Sequence, residues 1–300
     1  MKILLTGPTG FIGSAFARLA SRRGHHVAGL IIPSEHVPAG ASAHQNPVWL
    51  RGTLEQAPWP EIRTFGPEMC VHTAWITAPG IYLESPENER FRDASLHFLR
   101  KVAESGARHI LSLGTCIEYQ ITEQALAEDT TPISPSTTYA RCKNELRLAL
   151  ETESKARGFG FCWGRVFYPY GPGEHPSRLC SAIIQKLLRG EKVTLKTPAS
   201  TKDYIYIDDL AAALLAVVET RFEGVVNFGT GTGTTVRSIA EIIGKLMQKS
   251  ELVEEASEPD RDPFPYVVAD ATRIKSLGWK PNFTLQDGLR HLLDARRGAA

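Results

Sequence analysis

Short apolar runs alternate with helical patterns along the first half of the chain. The run KILLT (2–6) comes first, and Phe16, Leu19 and Ala20 then recur at the spacing of one helical face. Further apolar runs occupy 26–32, 48–50, 69–75, 109–115 and 161–167, and further helical patterns occupy 85–106 and 137–158. Because strands that alternate with helices pair in parallel through crossover connections, the pattern predicts an α/β fold with a doubly wound parallel sheet.

The pattern becomes shorter and less regular after residue 168. IDDLAAALLAVVE (207–219) and VVNFG (225–229) predict a helix and a strand that return to the first sheet. We therefore expect two domains. The first is the sheet domain, 1–167, with 205–228 returning to it, and the second is a smaller α/β domain made of 168–204 and 229–300.

The segment TGPTGFIG (6–13) places three glycines behind the first strand and ahead of the first helix. Glycines permit a tight turn, and they let a phosphate approach the helix start, where free N–H groups and the positive dipole end favour an anion. A turn that needs glycine for its own backbone is the alternative. At the first strand-to-helix turn of an α/β chain, we favour a dinucleotide phosphate site. Its predicted contacts are Gly7, Thr9, Gly10, Phe11, Ile12 and Gly13.

Composition narrows the possible partners. The 300 residues carry 34 Lys and Arg against 33 Asp and Glu, a balance that gives no reason to expect a nucleic acid or a membrane surface. No apolar run approaches the ~20 residues of a membrane span, and the N-terminus does not resemble a signal peptide. The five cysteines form no C-x-x-C pair and the nine histidines show no metal spacing, so we expect no metal site and a reducing, cytoplasmic location.

Three candidate reactive groups stand out. YARCK (139–143) places Tyr139 and Lys143 at i and i+4, on one helical face. A phenol with a free pKa of ~10 needs a nearby cation to exchange protons near neutral pH, and Lys143 supplies one. The alternative is an ordinary surface pair. Thr115 ends the fifth predicted strand, where α/β sites form, and its hydroxyl either binds a substrate oxygen or simply caps the strand end.

Five segments together resemble the extended short-chain dehydrogenase/reductase family, which comprises nucleotide-sugar epimerases, dehydratases and reductases. They are TGPTGFIG, the hydroxyl residue that ends the fifth strand, YxxxK, RVFYPYGPGE (165–174) and KDYIYIDD (202–209). The likeness extends from residue 2 to about residue 292, where LGWKPNFTLQDGL resembles the C-terminal signature of the family.

The resemblance implies a fold, two ligands and a set of catalytic residues. It implies a Rossmann domain for NAD(H) or NADP(H) and a smaller C-terminal domain for a nucleotide-diphosphate sugar. Thr115, Tyr139 and Lys143 match the catalytic triad of the family. Helices 85–106 and 137–158 resemble the pair through which relatives form a homodimer.

The second strand ends in GLIIPSE, with Ile31 and Ile32 where family members that prefer NAD usually carry an acidic residue. Without that carboxylate a 2′-phosphate is not repelled, and Ser34 is placed to hydrogen-bond it. The resemblance therefore implies NADP(H), with NAD(H) as the alternative. Thr53 stands where relatives often carry an aspartate that meets the adenine. The other implied cofactor contacts are Leu54, Ala74, Tyr139, Lys143 and Phe167.

Departures from the family pattern bear on the reaction. Cys116 and Ile117 stand where the sugar 4,6-dehydratases carry Asp-Glu, the pair that eliminates water. Glu118 comes one place late and points to the other side of an extended segment, so we do not expect dehydration. We interpret Cys116 as a small residue that lines the pocket rather than as a nucleophile.

Another departure concerns the phosphates of the substrate. Tyr168 stands where many relatives carry an asparagine that holds the sugar-nucleotide phosphate. Arg178 is the best replacement, because a guanidinium matches phosphate oxygens, although a solvated residue at a helix start is the alternative. Lys202 stands where an arginine is common. The predicted substrate contacts are Thr115, Cys116, Ile117, Tyr168, Arg178 and Lys202.

These departures predict a ketoreductase. In the predicted reaction, a reduced nicotinamide gives hydride to the ketone of a nucleotide-linked sugar. The favoured sugar is a 4-keto-6-deoxyhexose. Tyr139 gives the proton, Thr115 holds the oxygen, and Lys143 binds the nicotinamide ribose and lowers the phenol pKa. A 4-epimerase that uses the same three residues and retains its NAD is the first alternative. A dinucleotide-sensing protein without turnover is the alternative from another class, and the intact triad argues against it.

Overall fold

A computed structural model describes residues 1–36 and 48–298 of the chain. Its strands are β1 (Lys2–Thr6), β2 (His26–Ile31), β3 (Val48–Arg51), β4 (Met69–His72), β5 (His109–Thr115), β6 (Gly160–Val166), β7 (Tyr168–Tyr170), β8 (Val193–Leu195), β9 (Thr201–Tyr206), β10 (Gly224–Phe228), β11 (Gly233–Thr235), β12 (Val253–Glu255) and β13 (Tyr266–Val267). Its α-helices are α1 (Phe11–Arg22), α2 (Trp59–Phe65), α3 (Glu87–Glu104), α4 (Thr138–Arg157), α5 (Leu179–Leu188), α6 (Ile207–Thr220), α7 (Val236–Met247), α8 (Thr272–Ser276) and α9 (Leu285–Arg297).

Seven of these strands form one fully parallel sheet, in the order β10-β6-β5-β4-β1-β2-β3. The doubly wound parallel sheet that the apolar pattern predicts is confirmed. The chain winds from β1 to β3 toward one edge, and then from β4 to β10 toward the other. In such sheets ligands bind where the winding direction reverses, which is here at the carboxyl ends of β1 and β4.

Helices cover both faces of this sheet, and this explains why its strands are apolar at nearly every position. Ile3, Leu4 and Leu5 of β1 are all fully buried. A strand that is buried on both faces carries a continuous apolar run rather than an alternation. Helices α1 and α6 pack together on one face, and α3 and α4 pack together on the other.

A second sheet contains β7, β9, β11 and β13, while β8 pairs with β12. Only Phe167 separates β6 of the large sheet from β7 of the small one, and β7 pairs in parallel with β9. Residues through Tyr206 belong to β9, so the returning segment begins with α6 and continues into β10, which pairs with β6. The chain therefore crosses between the sheets close to the carboxyl ends of β5 and β6.

Helix α2 is an element that the sequence pattern does not predict. Seven residues are too few to show a helical period, and this helix is held by its neighbours. Ile62 is fully buried, and the Trp59 ring lies 5.4 Å from the Phe98 ring of α3. Within the described ranges, no helix combines the length and the apolar character that a membrane span requires.

Candidate active site

The segment after β1 forms a tight turn into α1. Gly7 has φ +67°, in the left-handed region that favours glycine, and the Gly10 N–H donates to the Gly7 carbonyl at 3.1 Å. A Cβ on Gly13 would lie 2.0 Å from that carbonyl oxygen, so only glycine fits there. Helix α1 begins without a side-chain cap and without an acidic residue in its first turn. Its N-terminal N–H groups are therefore open to an anionic group.

This turn lines a cavity of about 620 Å³, which we call the glycine-turn cavity. Nine of the predicted cofactor contacts line it, namely Gly7, Thr9, Gly10, Phe11, Ile12, Gly13, Thr53, Leu54 and Ala74. Ser34 does not line the cavity and is exposed in the turn after β2. The open helix start and the space above it fit a dinucleotide, but the fold does not bring Ser34 to that space.

Ile31 and Ile32 hold the positions where relatives carry an acidic residue, but a carboxylate from further along the chain comes close to the end of β2. Glu35 lies beyond the strand, but the chain turns back and its N–H donates to the Ile32 carbonyl at 3.0 Å. One carboxylate oxygen accepts the Thr9 hydroxyl at 2.8 Å, and the other accepts the Ile32 N–H at 3.2 Å. Glu35 thereby lines the glycine-turn cavity. In this fold an acidic residue near the end of the second strand is suited to the ribose hydroxyls of NAD, and Glu35 lies close to that strand end.

A second cavity, of about 460 Å³, brings the predicted catalytic residues together. Thr115, Tyr139 and Lys143 all line it, as does Phe167, and we call it the triad cavity. Trp75 lines both this cavity and the glycine-turn cavity, so the two adjoin. The structure thus places three groups suited to handling a carbonyl oxygen directly beside the space that fits a dinucleotide.

Lys143 is buried at the floor of the triad cavity. Its ammonium donates to the Leu113 carbonyl at 2.8 Å and lies 3.7 Å from the centroid of the Trp75 ring. Burial lowers the pKa of Lys143 to about 7, and the nearby Glu118 carboxylate opposes part of this shift. Near neutral pH, Lys143 is therefore only partly protonated.

Tyr139 lies one helical turn before Lys143. Helix α4 begins at Thr138, and the preceding Thr137 caps it by accepting the Ala140 N–H at 3.1 Å. The Tyr139 ring meets the Tyr82 ring edge to face, with 5.0 Å between centroids. Burial raises the pKa of the Tyr139 phenol well above its ordinary value. The phenol of the free protein is therefore a proton donor rather than an acceptor.

Thr115 is the last residue of β5, and a short 3₁₀ turn follows it at 116–118. Cys116 and Ile117 line the triad cavity, and burial raises the pKa of the Cys116 thiol to about 12. A thiol that keeps its proton is a poor nucleophile, which agrees with a lining role. Glu118 faces away from the cavity, where it is fully buried and pairs with Arg165 at 2.8 Å.

Two further cations line the triad cavity. Arg178, Lys202 and Tyr168 all line it. The Lys202 ammonium donates to the Asp262 carboxylate at 2.8 Å and also to the Phe264 carbonyl, so its charge is balanced within the protein. Arg178 is exposed just before α5 and lines both cavities. Arg178 is thus the better placed of the two for a pyrophosphate.

Asp262 and Glu35 are residues of the site that the sequence pattern does not identify. Asp262 lies 60 positions from Lys202, and no local pattern connects them. For Glu35 the available signal was the Pro33-Ser34 turn, which reverses the chain directly after β2. In the part of the chain that the structure describes, no group of three or more His, Cys, Asp or Glu residues is arranged to hold a metal ion.

Comparisons with known proteins place the chain in a family. The model of the NAD dependent epimerase/dehydratase family matches residues 3–229. The low-salt glycan biosynthesis protein Agl12 of Haloferax volcanii is 27% identical over 98% of both chains. The UDP-glucose 4-epimerase of Corynebacterium glutamicum is 25% identical over 95% of this chain and 92% of its own. The solved UDP-glucose 4-epimerase of Thermus thermophilus, a complex with NAD, matches all of both chains with a TM-score of 0.86 and 26% identity.

The chain therefore belongs to the NAD-dependent epimerase/dehydratase family, within the extended short-chain dehydrogenases/reductases. The family resemblance that the sequence motifs carry is confirmed. The protein is thus an NAD(P)-dependent oxidoreductase of the short-chain dehydrogenase/reductase type, built on the Rossmann-like sheet described above.

Proposed function

We propose that this enzyme reduces a nucleotide-diphosphate-linked keto sugar, and that the sugar is a 4-keto-6-deoxyhexose. The observation that carries the proposal is the gathering of Thr115, Tyr139 and Lys143 in one cavity that adjoins the glycine-turn cavity. A carbonyl bound among these three groups lies within reach of a dinucleotide that is held over the glycine turn.

Each residue of the triad has a separate task. The bound nicotinamide supplies hydride chemistry at the carbonyl carbon. Tyr139 donates its phenolic proton to the carbonyl oxygen, which becomes a hydroxyl. Thr115 donates a hydrogen bond to the same oxygen and holds it beside the phenol. Lys143, as an ammonium, stabilises the phenolate that remains until a solvent proton replaces the one given up.

The walls of the triad cavity support a deoxygenated sugar. Ring faces give part of these walls an apolar character, although polar side chains such as Thr197 and Ser200 also line the cavity. The rings are those of Trp75, Tyr82, Tyr139, Phe167, Tyr168, Tyr170 and Tyr204. An apolar wall favours a methyl group over a hydroxymethyl group, because the latter would lose its hydrogen bonds to water there. Arg178 is the proposed partner of the pyrophosphate, since it is exposed and lines both cavities.

We propose NAD(H) rather than NADP(H) as the coenzyme. The preference for NADP(H) rested on the absence of a carboxylate at the end of β2, and Glu35 removes that basis. A carboxylate at this position accepts hydrogen bonds from both ribose hydroxyls and repels a 2′-phosphate. The Thermus thermophilus relative was solved as a complex with NAD, which agrees with this choice of coenzyme.

A nucleotide-sugar 4-epimerase is the second candidate, and a specific observation favours it. An enzyme that keeps and recycles its coenzyme suits an acidic pocket for NAD, which Glu35 supplies. Two relatives that match nearly the whole chain are UDP-glucose 4-epimerases. Both reactions use the same three residues, so the two candidates are distinguished by whether NADH is consumed during the reaction.

The deciding experiment mixes the purified protein with NADH and a nucleotide-linked 4-keto-6-deoxyglucose and follows the loss of reduced nicotinamide. Net oxidation that disappears in Tyr139→Phe supports the reductase. Tyr206→Phe is the matched control, because that tyrosine lies outside both cavities and its loss should leave the rate within about twofold. Isomerised nucleotide sugar without net oxidation, with NAD retained on the protein, overturns the reductase in favour of the epimerase.

A further inference from the structure

A fully buried carboxylate stands directly behind Thr115, on the side away from the triad cavity. One oxygen of Glu118 accepts the Thr115 backbone N–H at 2.8 Å, and the other accepts Arg165 Nε at 2.8 Å. Trp163 Nε1 lies 3.2 Å and 3.1 Å from the two oxygens. Glu118 is therefore anchored from the neighbouring strand β6 and holds the last residue of β5.

The local sequence is built to admit this carboxylate. Gly114 precedes Thr115, and a Cβ on it would lie 2.4 Å from the Glu118 oxygen and 2.2 Å from Trp163 Nε1. Only a residue without a side chain lets the two groups approach the backbone so closely. Gly114 also sits opposite Arg165 in the register of β5 and β6. The carboxylate and its partners thus converge on the strand end that carries Thr115.

The network continues beyond the ion pair into a third strand. The Arg165 guanidinium lies 4.3 Å from the centroid of the Tyr119 ring. The Tyr119 hydroxyl donates to the Asn227 side chain of β10 at 2.8 Å. The end of β5 and the turn after it are therefore tied to both β6 and β10, and little freedom is left to the backbone of Thr115.

Stability alone does not account for these charges. Taking a carboxylate and a guanidinium out of water costs several kcal/mol for each ion, and apolar pairs of similar volume often serve a core equally well. Glu118 is 0% exposed and Arg165 is 2% exposed, so both have lost nearly all contact with water. What a carboxylate offers here, and an apolar side chain does not, is an acceptor for the Thr115 N–H.

We propose that Glu118 is a positioning residue for the reaction: its carboxylate, anchored by Arg165, fixes the Thr115 backbone and so directs the Thr115 hydroxyl into the triad cavity. The inference rests on the role that the proposed function gives to Thr115. Glu118 acts through Thr115 and touches neither the substrate nor the coenzyme. Its negative charge also opposes the lowering of the Lys143 pKa, so the test compares variants that both lack this charge.

The test compares two double variants that differ only in the acceptor. Glu118→Leu/Arg165→Met removes the ion pair and the acceptor together, without leaving one buried charge unpaired. Glu118→Gln/Arg165→Met keeps a carbonyl oxygen for the Thr115 N–H. We expect kcat to fall about 10- to 100-fold in the first, with the KM values for sugar and NADH within about threefold of the wild type. We expect the second to recover kcat to within about fivefold of the wild type.

Repeating the comparison in protein that carries Thr115→Val distinguishes a positioning role of Glu118 from a general structural one. If Glu118 acts through the Thr115 hydroxyl, adding Glu118→Leu/Arg165→Met to Thr115→Val should lower kcat by less than about twofold, because the hydroxyl is already absent. An equal loss of kcat in both backgrounds, or a wild-type kcat in the leucine double variant, overturns the proposal. Coenzyme affinity and cooperative unfolding are measured on every variant, so that a damaged fold is recognised.

One measurement requires no variant. Hydrogen exchange on the intact protein should show the Thr115 amide among the slowest to exchange, because it is buried and bonded to Glu118. Rapid exchange of this amide overturns the proposal even if the double variants do not fold. Failure of the proposed function is seen separately, since the wild-type protein would then consume no NADH with any keto sugar.

Discussion

At the scale of single residues, burial acts on Tyr139 and Lys143 in opposite directions. It disfavours the charged form of each, so it raises the pKa of the phenol and lowers that of the ammonium. Near neutral pH the Tyr139 phenol is therefore protonated, while Lys143 is close to the midpoint of its titration. The pH dependence of catalysis should report the lysine rather than the tyrosine.

We predict that kcat/KM for ketone reduction is constant well below pH 7 and declines as the pH rises through about 7. The pKa of Lys143 is lowered to about 7, so the cation is fully present well below that pH, is half lost at it and is lost above it. Lys143→Arg keeps its charge across the range, so the decline should vanish although the rate is lower. A wild-type profile that is flat from about pH 6 to about pH 9 would contradict this assignment.

Glu35 gives a second prediction at this scale, on coenzyme choice. Glu35→Gln keeps the shape of the side chain and removes the charge that repels a 2′-phosphate. We expect the ratio of kcat/KM for NADPH to that for NADH to rise at least about tenfold, which corresponds to about 1.4 kcal/mol. Glu61→Gln, in α2 and outside the cavity, is the control and should leave the ratio unchanged. An unchanged ratio in Glu35→Gln would remove the basis for NAD(H).

At the scale of elements, the turn from β1 into α1 separates a structural glycine from a ligand-facing one. A Cβ on Gly13 meets the Gly7 carbonyl at 2.0 Å, whereas a Cβ on Gly10 finds that oxygen at 3.4 Å, an ordinary contact. Both glycines line the glycine-turn cavity, and Gly10 is the N-cap of α1. The two positions should therefore respond differently to the same added methyl group.

We predict that Gly13→Ala lowers the free energy of unfolding by about 1–3 kcal/mol, because the backbone must shift to relieve the clash. Gly10→Ala should change it by less than about 1 kcal/mol and instead weaken dinucleotide binding, since the methyl group occupies the approach to the helix start. Urea denaturation and a titration with NADH measure the two effects. Equal stability losses in both variants, with NADH binding intact, would contradict the phosphate role of the turn.

Sequence reasoning succeeds for the elements whose signals are local. Continuous apolar runs locate the strands of the parallel sheet, and the i, i+4 spacing places Tyr139 and Lys143 on one face of α4. Glu118 faces away from the cavity as expected, but the segment 116–118 is a 3₁₀ turn rather than an extended strand, so alternation does not explain this orientation. Reasoning of this kind fails where a turn or a distant partner decides the outcome. The reversal after β2 brings Glu35 close to the strand end, and Asp262, in the segment before β13, pairs with Lys202.

At the scale of the whole molecule, the site lies where the two sheets meet. The glycine-turn cavity opens at the carboxyl ends of β1 and β4, and the triad cavity continues from it toward Tyr168 and Tyr204 of the small sheet. The large sheet supplies Thr115, helix α4 supplies Tyr139 and Lys143, and the small sheet supplies Tyr168 and Tyr204.

The homodimer implied by the family resemblance is a further prediction at this scale. Helices α3 and α4 pack side by side, and Leu148 of α4 is 49% exposed. If these helices form the interface, Leu148→Glu should weaken dimerisation at least about tenfold, because it places a charge in an apolar contact. Leu148→Met is the control. A wild-type protein that sediments as a monomer at micromolar concentration would contradict the dimer.

The central claim is hydride transfer between the coenzyme and a nucleotide-linked sugar, and isotope transfer tests it most directly. The protein is incubated with NADH that carries deuterium at the transferable position and with a nucleotide-linked 4-keto-6-deoxyglucose, and the sugar is then analysed by mass spectrometry and NMR. The account predicts one deuterium on the former carbonyl carbon for each NADH oxidised, and none with Tyr139→Phe. NADH that is consumed or bound without any deuterium in the sugar would contradict the account.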